Sequence, residues 1–318
     1  MGTTVSASNN DIRATEGDRF SVAHWQERLD TLRAARNVPG AALAVLVDGH
    51  IHELASGLLH RGTGVEVTTD SVFLCGSIAK VYTATLIMQL VDEGKLDLDA
   101  PVIDVLPEFA VPDAAATEII TTRQLLSHTA GLTNDFNYDS GRGDDCLAEF
   151  VKAAREVPQD CPTGTTFSYG GIGYVVMGRM IEVLTGLTWD QAVVERLARP
   201  LGLERTVTLP EQALKFRTAM SHLGAPGLDP DPAPEWDLMP RSVAPAARII
   251  QRGRYGPFRA DAPVRRPRPG RHPSAQRGSD GGDAAPRDRL SRQVDRQRGR
   301  AGPGVGAEQL ERCSRLRP

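Results

Sequence analysis

Apolar positions recur at helical spacing over 22–36, where Trp25, Leu29 and Leu32 share one face, and Pro39-Gly40 closes the segment. Two short apolar runs, 41–47 and 52–57, flank Asp48-Gly49, a pair that favours a two-residue hairpin turn. After 68–73 comes a long apolar run, 79–91 (AKVYTATLIMQLV), with no proline or glycine and one charge, Lys80. It predicts a helix buried on nearly all sides, stopped by Gly94. The segment 121–132 (TTRQLLSHTAGL) reads as a short helix capped by threonine and closed by Gly131. Residues 134–145 are polar and loop-like, while 146–157, 175–184 and 189–197 read as helices. Strands first and a helical block second predict an α+β architecture.

Candidate chemistry sits at the mouth of the 79–91 run. Ser77 and Lys80 are three residues apart, and on a helix such positions share a face at about 5–6 Å. A serine hydroxyl is a poor nucleophile until a neighbouring group takes its proton, and the Lys80 amine is within reach. At a helix N-terminus, free N–H groups and the dipole favour an oxyanion formed on attack. A Ser-x-x-Lys arises by chance roughly once in a chain this long. A lysine at the head of an otherwise apolar helix is nevertheless costly to bury without a partner.

The net charge of −3 over 318 residues conceals a split. Residues 1–240 carry 18 Lys and Arg against 33 Asp and Glu, whereas 241–318 carry 19 Arg, no Lys and 7 acids. From 247 onward only ten of 72 residues are Ile, Leu, Val, Phe or Tyr, too few to offset the entropy of ordering. The expected division is therefore a folded domain over 20–246 and a disordered Arg/Pro/Gly-rich tail over 247–318. Such a tail has the composition of an out-of-frame reading of a GC-rich gene. A natural basic tail that binds nucleic acid is the competing reading, disfavoured by sparse aromatics and the lack of a recognition motif, so no nucleic-acid partner is expected. The first twenty residues lack a signal-peptide pattern and no apolar stretch reaches about 18 residues, so a cytoplasmic protein without a membrane association is expected. The cysteines, Cys75, Cys146, Cys161 and Cys313, show no metal-ligand spacing; no metal and no cofactor are expected. Cys146 and Cys161 are a possible pair in an oxidising compartment, with reduced thiols the expected state. Cys75 reads as a packing residue.

Several segments, in order, resemble one family: the serine hydrolases related to class C β-lactamases, penicillin-binding proteins and D-Ala-D-Ala carboxypeptidases, with their esterase relatives. They are Gly76-Ser77-Ile78-Ala79-Lys80, the stretch from Asp92 to Asp99, Leu125-Leu126-Ser127-His128-Thr129-Ala130-Gly131-Leu132, Phe167-Ser168-Tyr169, Gly173-Tyr174 and Pro200-Leu201-Gly202-Leu203. The resemblance covers roughly 24–246. It implies a β-lactamase/DD-peptidase-like sandwich with a helical insertion, Ser77 as the acylated nucleophile, Lys80 as its proton partner and Tyr169 as general base. A phenol with an ordinary pKa near ~10 serves as a base only where cations such as Lys80 stabilise its anion. Taken without that pattern, Tyr169 reads as a buried, hydrogen-bonded core tyrosine, and the Ser127-His128-Thr129 turn as structural.

Two departures stand out. The family's Tyr-x-Asn reads Tyr169-Gly170-Gly171, so the amide that holds a substrate carbonyl and steadies the lysine is not supplied at 171. The C-terminal strands of the sheet, one of which carries a Lys/His-x-Gly element and the second oxyanion donor, are expected to be missing after about 246. His60-Arg61-Gly62 and His222-Leu223-Gly224 lie on the wrong side of that point and read as chance matches. The implied function is acyl-enzyme hydrolysis of an amide, β-lactam or ester from a small-molecule or peptide substrate, in an impaired form. The alternative is a non-catalytic ligand-binding relative or an inactive fragment.

Overall fold

The computed structural model describes residues 20–252 except 135, 137, 226, 227 and 238. Helix α1 (Val22–Ala35) is capped by Ser21, whose hydroxyl accepts the His24 N–H. Strands β1 (Gly40–Val47) and β2 (His50–His60) pair antiparallel through the expected turn, where Asp48 and Gly49 both take positive φ, 47° and 82°. The short β3 (Val65–Glu66) continues this sheet beyond β2, leaving β1 at its edge. β4 (Val72–Leu74) then leads through a tight turn, Gly76–Ile78, into α2 (Ala79–Asp92).

The helical layer follows: α3 (Ala114–Ile119), α4 (Thr122–Leu126), α5 (Cys146–Ala153), α6 (Ile172–Thr185) and α7 (Trp189–Val193). α4 has a reciprocal capping box between Thr121 and Gln124, and it ends five residues before Gly131. Beyond it come β5 (Thr206–Val207), α8 (Pro210–Ala213), the β6 (His222–Leu223) and β7 (Asp231–Pro232) hairpin, α9 (Ala244–Ala247) and β8 (Ile250–Arg252). β8 lies between β4 and β5, antiparallel to both.

β8 lies beyond the composition change at 247, so the folded chain extends at least to Arg252. The expected disorder of the tail beyond Arg252 falls outside the described residues.

The core centres on α2 and α6, with Leu86, Ile87, Leu90, Met177, Met180, Ile181 and Trp189 buried together. α9 approaches α6 closely enough that a Cβ on Gly178 would fall 2.5 Å from Pro245 Cγ, so only glycine fits there. The Trp189 indole N–H donates to Thr83 Oγ1 at 3.1 Å, and that hydroxyl donates to the Pro245 carbonyl at 2.7 Å. α2 is less enclosed than its sequence predicts. Val81 is 60% exposed and Met88 46%, one stripe with Thr85, because α6, α7 and α9 cover only the opposite face. Cys146 is a buried free thiol, so it is not bridged to Cys161. Among the described residues no helix is long and apolar enough to cross a membrane, and no His/Cys/Asp/Glu group could hold a metal ion.

Candidate active site

The end of β4 fixes the entry to the site. The Cys75 N–H donates to the Ile249 carbonyl at 2.8 Å, tying the chain just before the turn to the chain just before β8. Gly76 then takes φ 52°, a left-handed conformation, and the following tight turn presents Ser77 to solvent one turn ahead of α2. Cys75 itself points back, its thiol donating to the Phe73 carbonyl, and burial raises its pKa, as suits a packing residue.

Lys80, on the first turn of α2, is only 8% exposed. Its Nζ lies 3.3 Å from Ser77 Oγ and donates to the Ala246 carbonyl at 2.8 Å. It also stands 4.7 Å from the Tyr169 ring centroid and 5.7 Å from that of Tyr174. The amine is thus enclosed by a hydroxyl, a carbonyl and two aromatic rings.

Tyr169 reaches the same point from the loop before α6. Burial pushes its phenol upward, but hydrogen bonds with Lys80 and Ser77 and the lysine's charge outweigh it, so its pKa lies below the ordinary tyrosine value. Tyr174 differs: its hydroxyl donates to the Leu126 carbonyl at 3.1 Å, and burial, with Tyr169 beside it, raises its pKa. Ser77, Lys80 and Tyr169, the three residues singled out in the sequence, therefore converge in space.

Two further residues hold the Tyr169 loop. The His128 carbonyl accepts the Ser168 N–H at 2.8 Å, and His128 Nδ1 accepts the Gly170 N–H at 3.3 Å. The imidazole packs on Tyr169 and Tyr174, with centroids 4.6 and 5.2 Å away. Its φ of 57° orients it for both contacts, and first burial, then the charge of Lys80, lowers its pKa. The ring addresses the tyrosine and not the serine, which is no triad geometry. Asn134, the second, accepts the Gly171 N–H on Oδ1 at 3.1 Å. The segment 125–132 signals His128 in the sequence, whereas nothing local marks Asn134, and the Ala246 carbonyl is a backbone atom without a sequence signature.

Of the two His-x-Gly matches, His60 and His222 rest on each other, with centroids 5.7 Å apart, and the Arg61 N–H donates to His222 Nε2. Among the described residues neither hydrogen-bonds to Ser77, Lys80 or Tyr169. A cleft of about 640 Å³ between α1 and β2 is lined by Asp30, Arg33, Ser56 and Arg61 among others; its buried Ser56 hydroxyl is tied up, donating to the Asp30 carboxylate and accepting from Arg33 Nε at 2.7 Å, with no lysine or tyrosine beside it. Concavity and chemistry therefore part company here, and the chemistry identifies the site.

A family model described as Beta-lactamase matches residues 25–292, so the match runs on into the arginine-rich stretch. Penicillin-binding protein 4 of Amycolatopsis lactamdurans is 62% identical over 231 residues, which cover 73% of this chain and 61% of that protein. The crystal structure of SurE superposes with a TM-score of 0.60 at 36% identity, covering 72% of this chain and 50% of SurE. The D-amino acid amidase of Ochrobactrum anthropi, complexed with D-phenylalanine, gives a TM-score of 0.59 at 25% identity over 71% of this chain and 66% of the amidase. This chain spans about three fifths of the length of the first and half of the second. A match over most of the sequence, joined to a high identity with one relative and a shared mixed α/β architecture, means that the chain belongs to the beta-lactamase family.

Proposed function

We propose that this chain is a serine hydrolase that forms an acyl-enzyme on an amide, β-lactam or ester. The observation that carries the reading is the 3.3 Å approach of Lys80 Nζ to Ser77 Oγ beneath a phenol whose pKa is held below its ordinary value. Tyr169, as phenolate, takes the Ser77 proton with Lys80 stabilising its charge. The Ser77 oxygen bonds to the substrate carbonyl carbon, and the bond to the leaving nitrogen or oxygen breaks as Tyr169 returns the proton to it. A water, deprotonated by the same phenolate, then cleaves the ester on Ser77 and restores the free hydroxyl. The named substrates of the relatives, D-amino acid amides among them, support a small-molecule or peptide substrate. The domain that performs this is taken to begin near residue 20, and no nucleic-acid partner is invoked.

A second reading, a ligand-binding relative without turnover, is favoured by one specific feature. Among the described residues no His/Lys-x-Gly strand lies beside Ser77 to supply a second oxyanion donor, and one such donor is worth roughly 10²–10³ in rate. Labelling with a fluorescent penicillin, and burst release from a p-nitrophenyl ester, separate the two. Stoichiometric labelling that is lost in Ser77→Ala supports the hydrolase. A folded protein that stays unlabelled by both reagents refutes it.

A further inference from the structure

Gly171 occupies the place where the Tyr-x-Asn element carries an asparagine, so the site lacks an amide on that residue. A side chain at 171 would rest against Ala246 Cβ at 3.5 Å, beside the carbonyl that holds Lys80, and that direction is left without one. An amide nevertheless stands at this loop. It comes from Asn134, on the opposite segment, 37 residues earlier.

Its orientation follows from its partner. The Gly171 N–H can only donate, so the Asn134 atom 3.1 Å away is the oxygen, and the NH2 group faces away from the loop. Asn134 is exposed, and among the described residues that NH2 has no acceptor. The two segments lie in contact at Gly170: a Cβ there would meet the Thr133 carbonyl at 3.5 Å and Asn134 Oδ1 at 3.6 Å, ordinary van der Waals distances. One side chain thus fixes the backbone two residues after the phenol and leaves two N–H donors on the exposed side of that loop.

We infer that Asn134 stands in for the asparagine that Gly171 lacks, holding the Tyr169 loop through Oδ1 and offering its amide NH2 to a substrate carbonyl. The inference rests on the acyl-transfer reading above only for its kinetic consequence, since ligand binding is a separate readout. Substrates with a hydrogen-bonding carbonyl near the scissile bond, such as acylamino β-lactams and peptidyl amides, are the class this donor suits. Simple esters, which lack that second carbonyl, gain nothing from it.

The test uses the full chain and two variants at 134. In the Ser77→Ala background, which cannot be acylated, benzylpenicillin affinity is measured by calorimetry. Asn134→Asp keeps the acceptor for the Gly171 N–H and removes the donors, while Asn134→Ala removes both. Each is expected to weaken Kd about tenfold, the effect of one lost hydrogen bond. With Ser77 present, Asn134→Ala is expected to slow fluorescent-penicillin labelling by at least the same factor.

Gly171 has φ −85° and ψ −33°, which any residue adopts, so Gly171→Asn is a foldable rescue in the Asn134→Ala background. Return of Kd to within about threefold of the parent is expected, an outcome that a merely structural Asn134 would not give. Unchanged Kd in both Asn134 variants overturns the inference, as does failure of the rescue in a protein of parental stability. Absence of benzylpenicillin binding by the parent also overturns it. Normal binding without labelling would sink the hydrolase reading and leave the role of Asn134 standing.

Discussion

Replacement of Lys80 by methionine separates reactivity from stability, because the two effects have opposite sources at this one side chain. The stem is buried against α9 and two tyrosines, and methionine fills a similar volume, so the packing loss is small. The Ala246 carbonyl loses its 2.8 Å donor, a cost of about 1–3 kcal/mol for an unsatisfied buried acceptor. The rings of Tyr169 and Tyr174 lose a cation worth about 0.5–2 kcal/mol. Against this, a largely buried amine is no longer stripped of water, a relief of several kcal/mol where the group was charged. The terms nearly cancel, and urea denaturation is expected to give a stability within about 2 kcal/mol of the parent. Chemistry is not spared: without the cation that stabilises the Tyr169 phenolate, general-base help worth about 10²–10⁴ in acylation is lost, read as the rate of fluorescent-penicillin labelling. The phenol supplies an independent readout. Without the Lys80 hydrogen bond and charge, burial dominates at Tyr169, and ultraviolet titration is expected to show its pKa move up. Labelling at the parental rate in a folded Lys80→Met, or a Tyr169 titration that does not move, would refute the assignment of Lys80.

Acid should act through His128. Its Nδ1 can accept the Gly170 N–H only while neutral, and burial and Lys80 depress its pKa, so labelling is expected to hold through pH ~6.5 and fall below it. A rate already halved at pH 7 for want of neutral imidazole would contradict this, and His128→Asn is expected to flatten the acid limb. The buried ion pair between Arg248 and Asp237, 2.6 Å apart with both side chains 2% exposed, anchors the segment before β8. Asp237→Ala leaves that guanidinium uncompensated and is expected to cost about 3–5 kcal/mol in urea denaturation, whereas a loss below 1 kcal/mol would show the pair to be dispensable.

The hairpin was legible because Asp48-Gly49 is a chemical signature of its turn, and Ser77 with Lys80 because helical spacing is local. Tyr169 needed the family resemblance, since no pattern within its own segment points it at a residue 92 positions away. The enclosure of α2 was overestimated: an apolar run reports what a helix tolerates, and Val81 and Met88 face a side that no described neighbour covers. β8 was hidden for the opposite reason. Three residues, Ile250-Gln251-Arg252, in an arginine-rich setting carry no readable alternation, yet their backbone joins β4 to β5. The lysine's acceptor and the loop's clamp were beyond reach because one is a carbonyl and the other is set by contact between distant segments.

The hydroxyl of Thr83 has a wider consequence. Receiving the indole of Trp189 on one side and giving its proton to residue 245 on the other, it is a mechanical coupling between the interior of the helical layer and the carbonyl next in line, which grips the amine. A change in how snugly the indole sits is conveyed across two polar contacts to the nucleophile's neighbour. Selection for heat tolerance should therefore find positions 83 and 189 closed to improvement, since repacking there detunes the reactive end of the molecule before it strengthens the rest.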